Sequence, residues 1–199
     1  MNGSGLRKLS YYVGASLDGF IAAPDDTFAF FDPCLTEEYV PWMVGEYPDT
    51  LPTAARAALG LSEAPLSRFD TVLMGRGSYE PGLAAGWTSP FGHLRQIVFS
   101  RSLGTSPDPA VEVTAEDPLA LVRRLKQEEG LGIWLCGGGD LAGQLLPEID
   151  ELIVKQYPIV AGEGVPMFRA GFEPHYFRLT DSRVFDSGTV VLTYARTSG

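Results

Sequence analysis

Two stretches of the chain repeat one design, an apolar run that meets glycines and then the start of a helical pattern. Val72-Leu73-Met74 leads into Gly75-Arg76-Gly77-Ser78, and Ile133-Trp134-Leu135-Cys136 leads into Gly137-Gly138-Gly139-Asp140. A continuous apolar run is what a strand buried on both faces looks like, and parallel neighbours need helical crossovers, so the repeated design points to an α/β sheet. Further strands are expected over residues 9–15, 96–100, 111–114 and 151–157. Asp117-Pro118 opens the best-marked helix, with a cap, proline in the first turn, Leu119, Val122 and Leu125 at helical spacing, and Gly130 closing it. Shorter helices are expected from Thr36 to Gly45 and over residues 53–61, the latter capped by Thr53. Strands at 176–185 and 189–197, joined by Asp186-Ser187-Gly188, form an antiparallel hairpin. The prediction is a three-layer α/β fold: a mixed, mostly parallel sheet with helices on both faces and a C-terminal antiparallel hairpin. It forms one domain over residues 9–197, with residues 1–8 as a frayed or tag-like terminus.

The formal net charge of −10 disfavours nucleic acid and anionic membranes, both polyanions that need a basic surface. No apolar run reaches the roughly 20 residues that span a bilayer, and the first residues lack a leader's apolar stretch, so a cytoplasmic protein with a small-molecule partner is expected. Cys34 and Cys136 are too few for a disulfide framework or a zinc site, and His93 and His175 lack metal-ligand spacing. No metal is expected.

Glycine lets a backbone approach a ligand closely, and free N–H groups at a helix start favour an anion, so each glycine turn is suited to a phosphate. Neither matches the Rossmann or P-loop pattern, and a tight connection is the competing reading of each. Arg76 either holds phosphate with its planar fork or pairs with Glu80 four residues on. Asp140, which would repel a phosphate, is expected to cap its own helix. The segment from 24 to 52 carries Phe28, Phe30, Phe31, Tyr39 and Trp42, aromatics that either stack on a flat substrate or anchor the loop.

Taken in order, Ser16-Leu17-Asp18-Gly19-Phe20-Ile21-Ala22, Met74-Gly75-Arg76-Gly77-Ser78-Tyr79-Glu80, Val98-Phe99-Ser100-Arg101, Gly137-Gly138-Gly139 and Pro158 to Phe168 resemble the motifs of the dihydrofolate reductase-like superfamily. The first and last are similar to the SLDGxIA and PxxxGxGxPxF segments of the C-terminal reductase domain of bacterial riboflavin biosynthesis. The resemblance runs from about Leu9 to Arg196. It implies an NADPH-dependent oxidoreductase acting on a small heterocyclic or sugar-derived substrate, similar to 5-amino-6-(5-phosphoribosylamino)uracil reductase. It also implies a cis bond between Gly137 and Gly138 and a homodimer. By resemblance the cofactor is held by Gly75, Arg76, Gly77, Ser78, Ser100, Arg101, Gly137, Gly138, Gly139, Asp140 and Leu141, with Ala15 and Ile21 lining the nicotinamide.

Asp18 is the candidate catalytic residue, to orient substrate or relay a proton, with turn-shaping as its other reading. Asp32, Glu37 and Glu38 lie where folate enzymes place their acid, but the WxxPxDxxxF pattern is missing, which argues against folate. The HxE…PCxxC deaminase signature is absent. The other readings left open are a reductase of another pterin-like, imine or carbonyl compound, and a nucleotide-binding module without catalysis.

Overall fold

A computed structural model describes residues 6–197. Eight strands form one sheet in the order β5-β4-β3-β6-β1-β7-β10-β9. They are β1 (Leu9–Ala15), β3 (Phe69–Gly75), β4 (Arg95–Phe99), β5 (Val111–Thr114), β6 (Gly132–Gly137), β7 (Glu151–Gln156), β9 (Phe177–Val184) and β10 (Val190–Arg196). All pairings from β5 to β7 are parallel, and β10 turns the sheet antiparallel at β7 and β9. A two-stranded ribbon, β2 (Phe20–Ala22) with β8 (Val165–Pro166), lies outside the main sheet; so short a pair is invisible to a period-2 reading.

Side chains alternate across the sheet, which therefore has two cores. Tyr11, Val13, Leu73, Ile97, Ile133, Leu135 and Leu152 pack against α4 (Pro118–Leu125) and α5 (Gly139–Leu145). Tyr12, Val72, Met74, Val98, Trp134 and Ile153 pack against α3 (Arg76–Ala84), α1 (Tyr39–Glu46) and the short 3-10 turn over Ala29–Cys34. Helices thus cover both faces, as the burial of the parallel strands requires.

Between α1 and β3 the chain is held by a polar clamp around α2 (Thr53–Ala58). Asp49, fully buried, accepts the N–H groups of Arg68 at 2.7 Å and Phe69 at 3.0 Å. Arg56, 2% exposed, donates to the carbonyls of Pro48, Leu61 and Ala64. These bonds satisfy backbone groups that no strand or helix would pair.

Several local expectations are corrected. Thr53 is the first residue of α2 rather than its cap; its hydroxyl donates to the Pro90 carbonyl and accepts from Gly92 N–H, tying α2 to the 88–92 turn. The helix expected from Thr36 begins at Tyr39, because Pro41 fits only the first turn. Lys126, which caps α4 and follows its charged residues Arg123 and Arg124, is buried and bound to Glu148 and Asp150. At the start of the chain, Arg7 is 7% exposed and bonds Asp70, Thr71 and the Leu131 carbonyl, so the folded part begins before Leu9. The rest of the expected tag-like terminus, residues 1–5, lies outside the described residues.

Candidate active site

Because β3 and β6 are neighbours and parallel, their C-terminal ends carry the two glycine turns to the same place. A Cβ built on Gly75 would stand 3.3 Å from Gly138 N and 3.4 Å from Gly137 O, so the two turns touch backbone to backbone. The Gly137–Gly138 bond is cis, as the resemblance implied. Around Gly137, the same construction finds Ser78 Oγ at 3.4 Å, the Tyr11 hydroxyl at 3.9 Å and Ile21 Cδ1 at 4.0 Å. Ser78, Ile21, Gly75, Gly137 and Gly138 therefore cluster at the carboxyl edge of the sheet, the position of the crevice in which open α/β sheets bind ligands. Gly77 lies against the carboxylate of Asp26, and Ser100 and Arg101 follow β4, one strand beyond β3.

The glycines of the second turn divide by task. Gly138 has extended φ and ψ of −91° and −164°, and a Cβ there would meet only Ser78 Oγ at 3.7 Å. It borders open space. A Cβ on Gly139 would overlap the Pro166 carbonyl oxygen, and one on Gly143 the Arg169 carbonyl oxygen. Those two let residues 166–170 lie directly on α5.

That segment ties the site together. Leu17 N–H donates to Ile159 O at 2.7 Å, Met167 N–H to Gly19 O at 2.9 Å, Arg169 N–H to Gly139 O at 2.9 Å, and the Tyr11 hydroxyl to Met167 O at 3.0 Å. Asp18 is the clasp. Its Oδ1 accepts from Ser16 Oγ at 2.6 Å and Ala161 N–H at 3.0 Å, and its Oδ2 from Gly162 N–H at 2.7 Å. The Ser16 hydroxyl first, then the Ala161 amide, hold its carboxyl down to about 2. These three bonds fit the turn-shaping reading of Asp18, whose carboxylate is engaged by the backbone of residues 161–162.

Other candidates are placed differently from expectation. Asp140 does not cap α5, whose N-cap is Gly138; its carboxylate turns outward toward Arg169 at 3.4 Å. Arg76 is exposed and pairs with Glu80 at 3.5 Å, an i,i+4 pair worth only about 0.3–0.5 kcal/mol. A ligand anion would readily outcompete it. Ser100 Oγ accepts from Leu103 N–H at 2.9 Å and shapes the turn that presents Arg101, which is exposed. Ala15 and Leu141 are buried core residues beside the crevice. Asp32, Glu37 and Glu38 are all exposed, and Glu38 accepts from Asp186 N–H, fastening α1 to the hairpin turn.

One residue, Lys155, escaped the sequence reading, and Cys136 entered it only as part of an apolar run and as a cysteine without disulfide or zinc partners. Cys136 immediately precedes the cis bond, and burial pushes its thiol up to about 11. Lys155 on β7 stands over the Tyr12 ring, its Nζ 4.0 Å from the centroid, and burial lowers its ammonium to about 8. Lys155 lies on the same sheet face as Ile153, but the strand Glu151-Leu152-Ile153-Val154-Lys155-Gln156 is half polar, so nothing local singles it out. A cleft lined by Trp42, Glu46, Tyr47, Arg68, Glu151 and Arg183 lies at the opposite, amino edge of the sheet, away from this constellation.

The comparisons agree with the architecture. The family model described as RibD C-terminal domain matches residues 7–191. YwjB of Bacillus subtilis, a protein described as uncharacterized, is 31% identical over 192 residues, covering 96% of this chain and 98% of YwjB. Among solved structures, a putative riboflavin biosynthesis protein from Shewanella superposes with a TM-score of 0.69 at 21% identity, covering 96% of this chain and 99% of that one. The Thermotoga maritima diaminohydroxyphosphoribosylaminopyrimidine deaminase/5-amino-6-(5-phosphoribosylamino)uracil reductase gives 0.62 at 14% identity, over 96% of this chain and 57% of the larger protein. Dihydrofolate reductase from Enterococcus faecalis, complexed with NADP(H), gives 0.60 at 16% identity, with 96% and 97% covered. The fold is thus dihydrofolate reductase-like, and the chain belongs to the RibD C-terminal domain family.

Proposed function

We propose that this protein is an NADPH-dependent reductase of a small heterocyclic or sugar-derived compound, of the type reduced by 5-amino-6-(5-phosphoribosylamino)uracil reductase. The observation that carries the reading is the open side of Gly138 where the two glycine turns meet: a cradle that even one methyl group would enter. When bound, the cofactor supplies the hydride.

The chain's own residues supply the rest. Gly75, Gly77, Gly137 and Gly138 leave backbone within reach of a pyrophosphate, and Ser78 adds a hydroxyl. Arg76 and Arg101 are the cations for the phosphates. Of the two, Arg101 is free of ion pairs among the described residues, and its place after β4 suits it to a 2′-phosphate. Ile21 and Ala15 bound the crevice on the β1 side. Asp18 binds neither partner; it holds residues 159–162 against the β1–β2 turn so that the mouth of the crevice keeps its shape.

The testing experiment follows NADPH oxidation spectrophotometrically over a panel of ribosylamino-pyrimidines, pterins, imines and aldehydes. Turnover of at least one class, lost in Gly138→Ala, is expected. NADPH binding with no turnover across the panel would favour the nucleotide-binding module instead.

A further inference from the structure

Lys155 is registered against Gly14 of β1 and Val191 of β10, yet its Nζ reaches the ring of Tyr12, two residues earlier on β1. The titratable group acting on it is Cys136, across β1 on β6. The ammonium thus lies over β1, between its own strand and β6, which carries Cys136 at the start of the Gly137–Gly138 turn. The chain carries 25 acidic residues, but among the described residues Lys155 makes no ion pair. Lys155 is half-buried, and one cation–π contact is the only compensation it has, among the described residues, for the water it loses. Its pKa, lowered to about 8 by desolvation, still leaves it protonated at pH 7.

The surroundings narrow what would complete this site. The Tyr12 hydroxyl beneath it is buried without a hydrogen-bond partner among the described residues. Phe31 packs on Tyr157 at 4.8 Å, Phe30 on Phe31 at 4.1 Å, and Tyr39 meets the Tyr157 hydroxyl at 3.3 Å, so the walls on this face are aromatic. The groups assigned to the cofactor phosphates lie on β3, β4 and β6, whereas Lys155 lies beyond β1. A ligand held there sits beside the cofactor, where a substrate belongs.

We infer that Lys155 is a specificity-determining residue of the substrate crevice, pairing its ammonium with an anionic oxygen on a flat, conjugated substrate ring. The inference rests on the reductase reading for the word substrate, while the anion site itself is testable alone.

Orotate, a planar pyrimidine carboxylate, and neutral uracil are the probes, titrated calorimetrically into wild type, Lys155→Met and Lys155→Arg, each with and without NADPH. Wild type is expected to bind orotate at least tenfold tighter than uracil. Lys155→Met loses that preference, Lys155→Arg keeps most of it, and all three bind NADPH alike. Lys155→Gln replaces the methionine variant should that one fail to fold. Equal affinities in wild type, absence of orotate binding, or a preference that survives in the methionine or glutamine variant overturns the inference. A parallel loss of NADPH affinity also overturns it, by assigning Lys155 to the cofactor. Failure of wild type to bind NADPH, with the orotate preference intact, sinks the reductase reading and leaves the anion site standing.

Discussion

Asp18 is the residue whose role changes most between sequence and structure. Its Asp-Gly context made turn-shaping and chemistry equal readings; three hydrogen bonds reaching from Ser16, Ala161 and Gly162 favour the former. Since its folded pKa is about 2 against an ordinary 3.8, the stability it contributes is present above pH 3.8 and is lost as pH falls through about 2. Asp18→Asn should therefore melt below wild type at pH 7, with the gap closing toward pH 2, and hydrogen exchange at Ala161 and Gly162 should accelerate. A constant gap across that range would contradict the clasp. Arg101 makes the second residue-scale prediction. Arg101→Ala should weaken NADPH by about 1.5–3 kcal/mol, the scale of a hydrogen bond to a charged group, and leave NADH unaffected. The residue was legible by resemblance to a strand-end motif. Lys155 was not, because nothing local marks a lysine whose ammonium crosses to the neighbouring strand.

At the scale of elements, the glycine turns were the most legible feature, because two of them share one strand-glycine-helix design. The sequence did not distinguish glycines that border open space from those on which another segment lies. That difference depends on residues 158–170, which approach α5 from a distant part of the chain. It predicts opposite phenotypes. Gly138→Ala should melt close to wild type and bind NADPH at least tenfold more weakly. Gly143→Ala, whose methyl must displace the Arg169 backbone, should lose about 1–3 kcal/mol, or several degrees of melting temperature. If calorimetric melting ranks the two the other way, the assignment of the crevice side is wrong. Asp140 and Thr53 were misplaced for a related reason: a capping residue is recognised from its neighbours, but its true partner, Arg169 or the 90–92 turn, is remote in sequence.

For the whole molecule, the mixed sheet followed from apolar runs, helix signals and the closing hairpin, whereas the strand order did not. What the sequence could not convey was convergence: five separated motifs meet at one edge because β1, β3, β4 and β6 are parallel and adjacent. Among the described residues no helix is long and apolar enough to cross a membrane. The far edge of the sheet is β9, eight residues nearly all exposed, with Leu179 and Val184 uncovered. Long bare edges invite pairing, so a homodimer is expected, and light scattering at micromolar concentration should report the mass of two chains; one chain's mass would count against it. The central claim is that the crevice between the glycine turns takes NADPH. Its most direct test is calorimetric titration of the wild-type protein with NADPH and NADH under identical conditions. The account predicts one NADPH per chain, bound at least tenfold tighter than NADH; no binding, or equal affinity for the two, would contradict it.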